Sequence, residues 1–127
     1  MTLILITDKA TKESKFEIKW NAGDPTKDGE FGIAGVGFPV GATVIVTICD
    51  ENYVLQSLVV NDSGLISICY LQLSDILSPE NRTALITDYP SSTLVTVKAW
   101  IGGTVSDGIY TGGGVLWAVS VALVKPA

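Results

Sequence analysis

The sequence predicts an all-β protein, a sandwich or barrel of seven to eight strands. Three observations carry this. β-branched runs alternate apolar and polar positions, most clearly over residues 43–50 and 92–101. Turn signals built from Gly, Asn, Asp and Pro separate these runs at short spacing. No helical pattern is long enough for the crossover that joins parallel strands.

Residues 3–7 read as a short strand apolar on both faces, and residues 8–14 as a charged link with no core-forming pattern. Residues 14–20 set Phe16, Ile18 and Trp20 on one side and Lys15, Glu17 and Lys19 on the other, a strand with one wet face. Asn21, Gly23, Pro25 and Gly29 mark residues 21–30 as loop. Residues 31–37 form a glycine-broken strand leading into Gly35-Val36-Gly37-Phe38-Pro39-Val40-Gly41, where glycines give backbone freedom and Pro39 fixes a bend. The strand over 43–50 points Val44, Val46 and Ile48 inward. Glu51-Asn52 then turns the chain, because Asn tolerates the left-handed geometry of a tight hairpin. Residues 53–60 form the next strand and Asn61-Asp62-Ser63-Gly64 a turn. Residues 65–73 form another strand, with Ile66, Ile68 and Tyr70 toward the core.

Residues 74–90 are the least β-like part. Ser78 as N-cap and Pro79 at the first helical position predict a helical turn there. Over 92–101 the strand pattern returns, with Val95, Val97 and Ala99 inward. Residues 102–114 read as a glycine-rich loop, either a mobile tip or a hairpin that reaches a partner. The last strand, 115–124, places Val115, Trp117, Val119, Val121 and Leu123 on one face and Leu116, Ala118, Ser120, Ala122 and Val124 on the other. Both faces are mostly apolar, so this strand is either central or covered by something else.

Composition bounds the function. At 127 residues the chain suits one domain with a real core. A hydrophobic content of 47%, 17% charged residues and a mean hydropathy of +0.43 argue against disorder and for some surface buried against a partner. Residues 1–27 hold five lysines against four acids, and the remainder three basic residues against nine acidic ones. A mildly basic segment on an acidic body suits an acidic neighbour, another copy included, while a solvated Lys/Glu mixture is the plainer reading. No basic patch interleaved with aromatics points to nucleic acid. No stretch approaches the roughly 18 apolar residues of a membrane span. Residues 1–7 lack the features of a signal peptide, so the expectation is a protein used without export or a trimmed product.

The run Gly35-Val36-Gly37-Phe38-Pro39-Val40-Gly41-Ala42-Thr43-Val44 resembles the G-x-G-F-x-x-G-x-x-V motif of bacterial, archaeal and phage-type immunoglobulin-like modules. Asp62-Ser63-Gly64-Leu65-Ile66 is similar to their D-x-G-x-(apolar) turn, and residues 93–101 to their penultimate strand. The resemblance covers residues 31–124. It implies an immunoglobulin-like sandwich acting as a spacer, adhesive unit or decoration on surface proteins and phage virions. The antibody-type tryptophan after Cys49 and a tyrosine corner are absent.

With no histidine, Ser-His-Asp and Cys-His catalysis are excluded, and two cysteines are too few for a zinc site. Asp24, Asp28 and Glu30 share a loop, as do Asp50 and Glu51, and could act as carboxylate pairs or bind calcium. Solvated turn acids are the simpler reading, because the spacing is not that of a calcium loop and Lys27 intervenes. The glycine-rich segment lacks the Lys-Ser/Thr ending of a phosphate loop. Cys49 and Cys69 lie opposite the inward residues and could form a cross-strand disulfide or remain buried thiols. Asn61 and Asn81 begin glycosylation sequons.

These readings expect residues 1–13 to form an arm and residues 14–127 the sandwich. The arm either pairs with a neighbouring subunit in strand-addition fashion or folds back into its own sheet. Leu3, Ile4, Leu5, Ile6, Leu116 and Val124 are the candidate subunit interface. The expected function is non-enzymatic: a module that self-associates or coats a larger assembly, such as a virion decoration or tail protein, without cofactor. The alternatives are an extracellular filament or adhesin subunit and a carbohydrate-binding module using Trp20, Trp100, Trp117, Tyr53 and Tyr110 as a ring platform.

Overall fold

Val44, Val46 and Ile48 are completely buried, and the adjacent strand sets Val97 and Ala99 beside them, also completely buried. Alternation thus buries one face of the sheet, each fully buried Val, Leu or Ile contributing roughly 1.5–3 kcal/mol. The computed structural model describes residues 2–8, 16–66 and 70–127. The protein is all-β, 51% strand and 15% helix.

Ten strands are described: β1 (Leu3–Asp8), β2 (Glu17–Trp20), β3 (Phe31–Val36), β4 (Thr43–Ile48), β5 (Tyr53–Val59), β6 (Tyr70–Leu71), β7 (Thr93–Ile101), β8 (Thr104–Ser106), β9 (Ile109–Gly112) and β10 (Val115–Pro126). They make two sheets in a sandwich-like arrangement, one ordered β1-β3-β6 and the other β2-β10-β7-β4-β5-β9-β8. Ile4, Ile6, Phe31 and Ile33 of the small sheet share one core with Ile18, Val44, Val97 and Val124 of the large one. Two helices, α1 (Leu73–Ile76) and α2 (Pro79–Asp88), follow β6. Ser78 caps α2 by accepting from the Asn81 amide, and Pro79 occupies the first turn.

The structure corrects several expectations. The strands number ten rather than seven or eight, because shorter segments also pair. Leu3–Asp8 is not a free arm: β1 pairs antiparallel with β3 from Leu3 opposite Val36 to Asp8 opposite Phe31. Ile4 and Ile6 are completely buried, so residues 3–8 belong to the sandwich and the side chains of Ile4 and Ile6 face its core rather than a subunit interface. The link over residues 9–15 lies outside the described residues. β2 begins at Glu17 and runs parallel to β10. Of the strand expected over 65–73, Ile66 bridges Gly35 and Tyr70–Leu71 form β6, residues 67–69 lie outside the described residues, and Leu73 begins α1; Tyr70 is half-buried. Ile68 lies outside the described residues. Of the two readings of the glycine-rich segment, a mobile tip or a hairpin, the structure has a hairpin, β8–β9.

The central glycine motif has a packing reason. A Cβ on Gly35 would sit 2.7 Å from the Phe38 ring and 2.8 Å from Ile66, so only glycine lets that ring and Ile66 close over β3. Asn52 has φ +58 and turns β4 into β5 as its side chain permits.

Candidate functional site

β10 is flanked by β2 and β7 and so is central in the large sheet. Its inner residues Ala122 and Val124 are completely buried, as a central strand requires. The outer face is different. Register places Val119 opposite Lys98, Val121 opposite Thr96 and Leu123 opposite Leu94, all on the side away from the core. A bulge between Leu116 and Ala118 brings Leu116 opposite Trp100, onto this outer face beside Trp117. Leu94, Leu116, Trp117, Val119 and Val121 form a bare strip, with exposures from 42% at Trp117 to 68% at Leu94. This continuous apolar surface is the candidate functional site.

The hairpin covers the outer face next to the strip. Tyr110 stacks on Trp100 with ring centroids 4.7 Å apart and planes 22° from parallel. The Trp100 indole donates to Thr47 Oγ1 at 3.0 Å, and Lys98 Nζ stands 5.8 Å from its ring centroid. The Tyr110 hydroxyl accepts from the Gly114 amide at 2.9 Å and donates to the Gly102 carbonyl at 3.2 Å. A Cβ on Gly103 or Gly114 would collide with that hydroxyl, which accounts for these two glycines. Ile45 and Thr47 are buried although they lie on the outer side of β4. Over β7 and β10 no such cover is present among the described residues.

Of the interface residues expected from sequence, Leu3 and Leu116 are exposed. Ile4, Ile6 and Val124 are completely buried in the core, and the side chain of Leu5 lies outside the described residues. The strip that is bare belongs to the other face of the last strand, the one carrying Trp117, Val119 and Val121. Alternation identified that face, but strand order was needed to show which face turns outward.

The acidic loop has structural work. Arg82 binds Asp28 through Nε to Oδ2 at 2.8 Å and Nη2 to Oδ1 at 2.6 Å, raising the guanidinium's affinity for its proton. The Gln72 amide donates to the carbonyls of Thr26 and Asp28, and Asp24 caps the short turn Pro25–Lys27. Among the described residues no cluster of three His, Cys, Asp or Glu side chains could hold a metal ion.

Cys49 joins the core rather than the opposite face, with φ +66 just beyond β4. It is a free thiol, and its expected partner Cys69 lies outside the described residues. Burial, seconded by Glu51, Asp50 and Asp88, pushes the thiol up to about 12 against an opposing hydrogen bond from Tyr89. The Tyr89 hydroxyl is itself pushed up, first by burial and then by its bond to Glu51, to whose Oε2 it donates at 2.9 Å.

Asn61 is exposed, and its Oδ1 accepts from the amides of Ser63 and Leu65. Asn81 donates its amide to the Asp107 carbonyl at 2.8 Å, a bond that a glycan on that nitrogen would displace. The five rings make no platform: Trp20, Tyr53 and Tyr110 are buried, Trp100 lies against Tyr110, and Trp117 is the exposed indole. No helix among the described residues is long and apolar enough to cross a membrane.

The chain matches no family model, no curated protein and no solved structure.

Proposed function

We propose that this chain is a non-enzymatic structural module that assembles with copies of itself or coats a larger particle, as a capsid decoration or tail protein of a virion does. The bare strip over β7 and β10 carries this reading. An uncovered apolar face of this size on a soluble sandwich calls for a protein surface against it. The immunoglobulin-like resemblance points to the same class of decorating and spacing modules. The chemistry agrees: the chain has no histidine, and Asp28, an acid considered for catalysis, is held by Arg82. Electron microscopy of the purified chain, with mass spectrometry of particles from its native source, tests the proposal. Regular assemblies containing the chain support it, and lone monomers absent from any particle refute it.

The filament or adhesin alternative loses its donor strand, since β1 is already paired within its own sheet. A carbohydrate-binding reading keeps one supporting observation, the exposed ring of Trp117. Glycan-array binding abolished by Trp117→Ala would favour it.

A further inference from the structure

The borders of the strip carry opposite charges on its two sides. On the β4 side Asp50 is exposed and shares a surface depression with Leu94 and Thr96, both outer-face residues. On the β2 side Lys125 lies opposite Lys19 in the parallel register, both on the outer side because their neighbours Val124 and Ile18 are buried inward. Glu17 shares that side and pairs with Lys19 at 3.6 Å, so Lys125 is the positive group this border presents to a partner. The two borders lie two to three residues apart along the strands, roughly 7–10 Å, a gap that a lysine side chain narrows. Cys49 donates its amide to the Thr96 carbonyl, which sets Asp50 near the level of Val95, and Leu94 pairs with Leu123, two residues short of Lys125.

We infer that the outer face of β7 and β10 is a self-complementary interface, packed face to face against the same face of a second copy. This rests on the self-associating reading above. A twofold axis running parallel to the strands, between β7 and β10, lays the β2 side of each copy over the β4 side of the other. Lys125 of one copy then faces Asp50 of its partner, twice by symmetry. The strip supplies the area required. Its five apolar side chains present on the order of 450 Å², about the apolar share of the roughly 800 Å² that each partner buries in a standard interface. Aligned sheets pack in this way about 10 Å apart, at an angle of about 30°. The chain carries a net charge of −5, and the strip itself bears no carboxylate, while Glu17 at its β2 border is balanced by Lys19.

Sedimentation velocity of the full chain across a concentration series tests this, with circular dichroism checking the fold of each variant. The wild type is expected to dimerise. Val119→Asp with Val121→Asp, both exposed positions, should weaken the dimer at least about 30-fold, because each copy would bury two unpaired carboxylates. Lys125→Glu alone should weaken it about 5-fold, and adding Asp50→Lys should restore the wild-type affinity. Restoration is specific to a second copy in this register. Undiminished association of the Val119/Val121 variant, or failure of the charge exchange to restore it, overturns the inference while leaving self-association standing. A wild type monomeric at every concentration overturns both.

Discussion

Arg82 and Asp28 form a buried, two-bonded ion pair across 54 residues of chain, with Arg82 Nη2 also donating to the Asn21 carbonyl. The carboxylate is fully buried and the guanidinium nearly so. The pair pins α2 to the loop between β2 and β3. Truncating one partner leaves a buried charge without compensation. Arg82→Ala is therefore expected to lower the unfolding free energy by about 3–5 kcal/mol in urea titrations. Replacing both, as Asp28→Leu with Arg82→Met, is expected to cost less than Arg82→Ala alone.

Tyr110 holds the hairpin over Trp100 by its ring and over Gly102 and Gly114 by its hydroxyl. Tyr110→Phe keeps the stack and removes both hydrogen bonds, at an expected cost of about 1–2 kcal/mol. Gly114→Ala is expected to cost more, because its Cβ would meet both the Gly102 carbonyl and the Tyr110 hydroxyl. Equilibrium unfolding followed by tryptophan fluorescence measures both.

Burial pushes the Cys49 thiol up from its ordinary 9.0 to about 12 in the fold, and burial shifts the Tyr53 and Tyr89 hydroxyls upward as well. Each keeps its proton longer when folded, so the unfolded chain binds fewer protons in alkali. Stability is fully present below about pH 9 and lost as pH rises toward 12. Urea midpoints should fall steadily across that window. Cys49→Ala should make the decline shallower, with the two tyrosines accounting for the rest.

β1 contributes Ile4 and Ile6 to the shared core. Ile4→Ala is expected to cost about 2–5 kcal/mol. Deleting residues 1–8 should unfold the protein and expose β3, rather than yield a folded domain with altered assembly. A cooperative melt of the truncated chain near the wild-type temperature would contradict this.

Local rules made much of the fold legible. Val44, Val46 and Ile48 announced a half-buried strand, Ser78-Pro79 a helix start, and Asn61 to Gly64 a turn, because each signal lies within a few residues of its consequence. Ile4 and Ile6 were ambiguous, since an apolar strand reads alike whether it pairs in its own sheet or in another's. A hairpin is one of two readings of the glycine-rich segment, and what decides for it, Tyr110 closing over Gly103 and Gly114, lies several residues distant. Asp28 and Arg82 carry no mutual signal in sequence. The last strand shows in its sequence that it is apolar on both faces. Its bare side became identifiable only from its place between β2 and β7, and from the bulge that turns Leu116 outward.

The most direct measurement is hydroxyl-radical footprinting of the chain in its assembled and dilute states. Trp117 is a reactive, exposed indole within the strip, while Trp20 is buried and serves as an internal reference. Assembly is expected to suppress oxidation of Trp117, Leu116 and Leu94 together, leaving exposed Val40 and Val59 unchanged. Assembled material in which Trp117 oxidises as fast as in the dilute chain would contradict the account.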